Sequence, residues 1–236
     1  MTRIAGVDGC PGGWLCVVMD VEGRFVAATV FRTAAELLAH DPRIQAMAID
    51  MPIGLAHAGR RRCDEVARER LKAKAVCVSN APLRPALYAP SRVAASAISH
   101  ALCGRKVGAQ EWSLYPKVIN LDRVLTPLHQ RWCFEVHPEL SFAVWSANGP
   151  LAEAKDTPEG RRRREELIDG AWRGARLDAL ADLGPHQHGS ADYALDDVND
   201  AFAAVWTARR IVEGKAERIP DMPEIDGRGL RIEMWI

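Results

Sequence analysis

Five aspartates stand where a chain would place them to hold a cation. Asp8 ends the apolar run "RIAGVD" (residues 3–8), Asp50 ends "AMAID" (46–50), and Asp196, Asp197 and Asp200 open the periodic segment "ALDDVNDAFAAVWTARRIVEGK" (194–215). Asp197 and Asp200 are three apart, and Asp196 and Asp200 four apart, so on a helix each pair points the same way. Carboxylates brought together repel one another unless protons or cations intervene. Hard divalent ions take oxygen ligands, and Mg²⁺ prefers one or two carboxylates completed by water and substrate phosphate. Two such ions about 3.5–4 Å apart can activate a water and stabilise the leaving oxygen in phosphodiester hydrolysis. In that chemistry Asp8 is the shared central ligand. Each acid taken singly has a plainer use as a turn former, an N-cap or a first-turn acid favoured by the helix dipole.

The elements that must bring these acids together can be read from pattern. "RIAGVD" (3–8), "WLCVVMD" (14–20) and "RFVAATVF" (24–31) read as a three-stranded antiparallel meander, with "VEG" as a turn of hairpin length. "RTAAELLAH" (32–40) opens on a threonine suited to an N-cap and reads as a helix, and "AMAID" (46–50) follows as a buried strand. Within 59–130, "RRRCDEVARERLKAKA" and "SRVAASAISHAL" read as helices, while "NAPLRPALYAP" holds too many prolines for either helix or strand. "RWCFEVHP" (131–138) reads as a fifth strand ended by Pro138, residues 157–184 as one or two helices, and "GLRIEMWI" (229–236) as a last strand covering a sheet edge or a partner's edge. A crossover after a meander gives a mixed sheet flanked by helices. The expected architecture is a single α/β domain over residues 1–236 with a helical insertion at about 59–130. Val198, Ala201, Phe202 and Val205 form the face of the last helix that would pack on the sheet, leaving the acids at its edge.

Composition bounds the rest. The 236 residues are 48% hydrophobic and 26% charged, which excludes a disordered or fibrous chain. Lys plus Arg and Asp plus Glu both number 31, so no overall basic field draws the chain to nucleic acid and only a local patch could. The six cysteines show no CxxC pair or zinc-finger spacing, and no run approaches the roughly 18 apolar residues of a membrane span. A cytoplasmic location with reduced thiols is the expectation, with no membrane partner.

Seven segments together carry a family resemblance: "GVDGCPGGW" (6–14), "AIDMPIGL" (48–55), "RRCDEVAR" (61–68), "YPKVINLD" (115–122), "FEVHPELSF" (134–142), "KDTPEGRRRREELI" (155–168) and "DDVNDAFAAVWTA" (196–208). The chain resembles the RNase H-like superfamily, and more closely the predicted RNase H-like nucleases grouped as domain of unknown function 429. The resemblance implies an RNase H-like fold with carboxylates on the first strand, the fourth strand and the last helix. Asp8 and Asp50 match the first two, and the "DVNDAF" start, similar to that of RuvC-type junction resolvases, assigns Asp197 and Asp200. It also implies Mg²⁺ or Mn²⁺ as cofactor and nucleic acid as partner. Glu135 matches a motif of the closer family, as a further ligand or as the partner of a ligand, or else as a strand-end acid paired with an arginine. His137 and Glu139 flank it, with His137 a candidate general base. The stretch "KAKAVCVSNAPLRPALYAP" (72–90) departs from the family's Ser-rich pattern, so substrate specificity built there does not carry over.

Other patterns are weaker. "GCPGGW" (9–14) lacks a GK[ST] and a following helix, so its glycines are expected to make a turn rather than a phosphate loop. The basic runs "RRR" (60–62) and "RRRR" (161–164) could bind phosphate or form salt-bridged helix faces. The tryptophans are dispersed without interleaved basic residues, which argues against a stacking platform. The rival functions are a non-catalytic binding module on the same fold, and a nucleotide-binding phosphotransferase of the actin and sugar-kinase kind. A homodimer through the last strand is an option.

Overall fold

The computed structural model describes residues 1–184 and 192–236. The chain folds as two compact units, one made of 1–51, 132–217 and 235–236, the other of 52–131 and 218–234.

The first unit is built on a five-stranded mixed sheet in the order β3-β2-β1-β4-β5. Strands β1 (Arg3–Cys10), β2 (Gly13–Asp20) and β3 (Phe25–Phe31) form the antiparallel meander expected from the hairpin spacing. Helix α1 (Ala34–Ala39) follows, closed by a capping box in which Thr33 accepts the Glu36 N–H and Glu36 accepts the Thr33 N–H. The chain then enters β4 (Ile44–Ile49), parallel to β1. The fifth strand is shorter than its sequence suggests. Only Cys133–Glu135 (β5) pairs with β4, because Pro138 does not end a strand but begins helix α5 (Pro138–Trp145) as its first residue. The 157–184 segment divides into α6 (Pro158–Ala171) and α7 (Ala175–Leu183), split at Gly174 in the left-handed region.

Helix α8 (Leu195–Val212) lies on one face of this sheet, with Val198, Ala201, Phe202 and Val205 fully buried as the periodicity requires. Alternation puts Ile4, Gly6, Asp8 and Cys10 on that same face of β1. Gly6 is what allows the contact. A Cβ there would stand 2.0 Å from the Ala201 carbonyl oxygen and 2.3 Å from the Val205 nitrogen, so helix and strand backbones meet directly. Behind α8, three of the dispersed tryptophans gather: Trp145 stacks on Trp206 at 5.3 Å and meets Trp172 edge-on at 5.4 Å, beside Phe142 and Phe202.

The second unit holds α2 (Arg62–Leu71), α3 (Arg92–Cys103), α4 (Ala109–Asp122) and a two-stranded sheet of β6 (Arg218–Ile225) with β7 (Arg231–Trp235). Here β7 pairs with β6, so "GLRIEMWI" forms a last strand as expected, in a separate two-stranded sheet. The unit is tied by a buried carboxylate: Asp226 accepts the N–H groups of Leu55, Arg228 and Leu230 and pairs with Arg84, which also bonds Asp122 at 2.7 Å. Among the described residues no helix is long and apolar enough to cross a membrane.

Candidate functional site

Three elements of the first unit deliver acids to one end of the sheet. The β1–β4 register pairs Val7 with Ile49, and the Asp50 N–H donates to the Val7 carbonyl at 2.9 Å, so Asp8 and Asp50 stand side by side on the α8 face. Gly6 lies two residues before Asp8, and its contact with Ala201 and Val205 fixes where the first turns of α8 must fall. Those turns carry Asp196, Asp197 and Asp200. Asp8 and Asp200 are buried, while Asp50, Asp196 and Asp197 are half-buried.

The electrostatics follow from this crowding. Burial drives the Asp8 carboxyl well above its ordinary range, and the charges of Asp50, Asp200 and Asp197 push it further, against the pull of Lys155. Burial also raises Asp50, opposed by His137 and Lys155. Asp200 is lifted to about 6, first by burial and then by Asp50, with Lys155 pulling the other way. Asp197 is likewise lifted to about 6, mainly by burial. One Asp197 oxygen is committed to the helix start, where Oδ2 accepts the Ala194 N–H at 2.7 Å. An Asp8 oxygen accepts the Gly9 N–H at 2.8 Å, which fixes the carboxyl plane.

The structure adds a residue that pattern reading gave no role. Lys155 reaches Asp200 at 3.0 Å and Asp196 at 3.5 Å. Burial works to lower its pKa, but the charges of Asp200, Asp196 and Asp8 outweigh it and hold the amine above its usual value. Its loop is fixed locally. Thr157 caps α6 by accepting the Gly160 N–H, and its hydroxyl donates to the Ala154 carbonyl at 2.8 Å. Gly160 has no room for a Cβ, which would lie 1.8 Å from that same carbonyl. The sequence signals for this placement are the Thr-Pro-Glu-Gly helix start that follows Lys155 and the family-like segment that begins on it.

Other sequence candidates are placed elsewhere or used differently. Glu135 pairs in register with Ile49, so alternation directs it to the face opposite Asp8 and Asp50, and it does not join them. Glu139 holds Arg164 through both oxygens at 2.7 Å; the guanidinium also donates to the Gly160 carbonyl and lies over the Phe142 ring. Glu139 thus ties α5 to α6. The "RRRR" run is not one phosphate patch, since Arg164 is buried while Arg162 and Arg163 pair with Glu166. In "RRR", Arg61 is buried against the Ile53 carbonyl and Arg62 pairs with Glu65 and Glu69. The "GCPGGW" turn is shaped by packing: Gly12 donates to the Asp192 carbonyl at 2.7 Å, and a Cβ on Gly13 would strike the Phe31 carbonyl.

A measurable consequence is a pH-dependent instability. Acids whose pKa is raised by folding release protons more readily when unfolded, so stability falls as pH climbs from the ordinary aspartate value of 3.8 through about 6. Thermal melts in chelator should therefore show a midpoint that declines across this window, and Mn²⁺ should flatten the decline by taking up the charge that protons leave.

No curated protein and no solved structure matches the chain significantly. The family described as "Protein of unknown function (DUF429)" matches residues 6–225, a span that takes in Asp8, Asp50, Lys155, Asp197 and Asp200. With its carboxylate edge lying inside a match of nearly the whole length, this chain belongs to the DUF429 family.

Proposed function

We propose that this protein is a divalent-metal-dependent phosphodiester hydrolase acting on nucleic acid, with Asp8 and Asp50 as the ligands of Mg²⁺ or Mn²⁺ and Asp197 and Asp200 as the further acids of the same edge. The observation that carries the reading is the convergence of two parallel strand ends and one helix start on a single edge, with the acids there short of counter-charge. The donor set fits such ions, being hard oxygen from several carboxylates without thiolates. The RNase H-like resemblance, which assigns the same four positions, supports it.

When bound, the ion supplies a Lewis acid that makes a water nucleophilic and offsets charge on the phosphate. The chain's own residues hold the site rigid. Asp8 sits on the central strand, pinned by the Gly9 N–H, and Asp50 is fixed beside it by the backbone bond to Val7. His137, near enough to Asp50 to act on it electrostatically, is the candidate to accept the attacking water's proton through a neutral imidazole nitrogen. Lys155, paired with Asp200, adds a positive charge that favours an incoming phosphate.

The test is incubation of the chain with labelled duplex, single strand, RNA–DNA hybrid and four-way junction in Mn²⁺. Metal-dependent cleavage of at least one substrate is expected, and chelator should abolish it. Failure on every substrate overturns the nuclease reading and favours a binding module on the same fold.

A further inference from the structure

Lys155 occupies the ground that a second metal ion would need. Its amine lies 3.0 Å from Asp200 Oδ2 and 3.5 Å from Asp196 Oδ2, hydrogen-bond and ion-pair distances that place a positive charge between two carboxylates. A Mg²⁺ ion on the same Asp200 oxygen would sit at about 2.1 Å and would compete with the ammonium for it. The amine is not held there by chance of an extended side chain alone. Its loop is anchored by the Thr157 cap, by the close approach of Gly160 to Ala154, and by the Glu139–Arg164 pair that fastens α6 to α5.

The remaining acids are arranged for a single ion. Among the described residues, no three of these carboxylates bring an oxygen each within 4.8 Å of one another, as a closed multi-carboxylate cage would. Asp8 and Asp50, adjacent across the β1–β4 register, supply the two carboxylates that Mg²⁺ commonly takes, leaving water and phosphate to complete its shell.

We propose that Lys155 is a tethered cation standing in place of the second metal, so that the centre takes one divalent ion, on Asp8 and Asp50, with the amine holding Asp200. This rests on the reading of the carboxylate edge as a metal site. Lys155 is a specificity-determining residue in this scheme, since it sets the number of ions and not only the rate.

The test is a Mn²⁺ titration of the full chain at neutral pH, with bound ions counted by calorimetry and by the electron paramagnetic resonance signal of free Mn²⁺. Wild type and Lys155→Arg should bind one ion that Asp8→Asn abolishes, and Lys155→Met should bind two. Two Asp8-dependent ions on wild type would overturn the role of the lysine while leaving the metal site standing, and that result needs no variant of Lys155 to fold. A single ion on folded Lys155→Met would overturn it equally. Absence of any Asp8-dependent ion on wild type would overturn the metal site and the lysine's role together.

Discussion

Asp8→Asn should abolish metal-dependent cleavage, by about a thousand-fold or more, while making the metal-free protein more stable. The two effects have one cause. Asp8 is the buried acid pressed by three others, so its charge is what a cation is needed to balance. Asparagine keeps the shape and can still accept the Gly9 N–H through its carbonyl oxygen, but it removes the negative charge. A cation held mainly by Asp8 and Asp50 then loses half of its charged ligands, and the rate loss follows the scale seen when a single electrostatic stabiliser is removed. In chelator, urea unfolding of the variant should show a gain of about 1–2 kcal/mol at neutral pH, the usual gain when a strained functional group is replaced. The gain should shrink at pH 4, where protons already quench the repulsion. Loss of both activity and stability would mean that Asp8 is a structural acid and would overturn its role at a metal.

Gly6→Ala should be among the most damaging single changes in the chain. The added methyl would meet the Ala201 carbonyl oxygen and the Val205 nitrogen at 2.0 and 2.3 Å, and both are backbone atoms of α8, so no side-chain rotation relieves the clash. Helix and strand must part by more than an ångström. The loss should reach roughly 3–5 kcal/mol, at the upper end for a point substitution, read from denaturant unfolding. Gly170→Ala is the control, since a Cβ there meets nothing within 4 Å and the position lies in α6, where alanine should add about 0.5–1 kcal/mol. Whatever Gly6→Ala protein remains folded should also cleave poorly. Moving α8 off β1 carries Asp200 away from Asp8, and an ångström of misplacement can cost about a hundred-fold in rate.

What pattern could and could not disclose is visible in particular elements. Strands β1 to β4 and helix α8 were legible because each carries a strong local period and its own turn or cap. The pairing of Asp197 with Asp200 followed from helical spacing alone. Helix α4 escaped notice because Pro116 lies inside it and its apolar residues do not form a clean stripe. Strand β6 escaped because Pro220 and Pro223 argue against a strand, yet its one ladder partner leaves an open side where a missing N–H is tolerated. The fifth strand was overextended because a proline after an apolar run signals a stop whether a loop or a helix follows.

By itself, then, the sequence determined the fold class and put forward a set of candidate acids, since both are written in residue type and short-range spacing. Only the tertiary structure decided which of them share an edge. Glu135 is one register step from Asp50 yet faces the other side of the sheet, because strand side chains alternate and parity cannot be counted until the pairing is known. Glu139 and Arg164, 25 residues apart, were committed to each other by the packing of α5 on α6. Lys155 came to the aspartates across 45 residues through a loop whose position depends on a cap, a glycine contact and a buried ion pair. Contacts of that separation are set by how elements pack, and packing is a property of the assembled core that no local pattern carries.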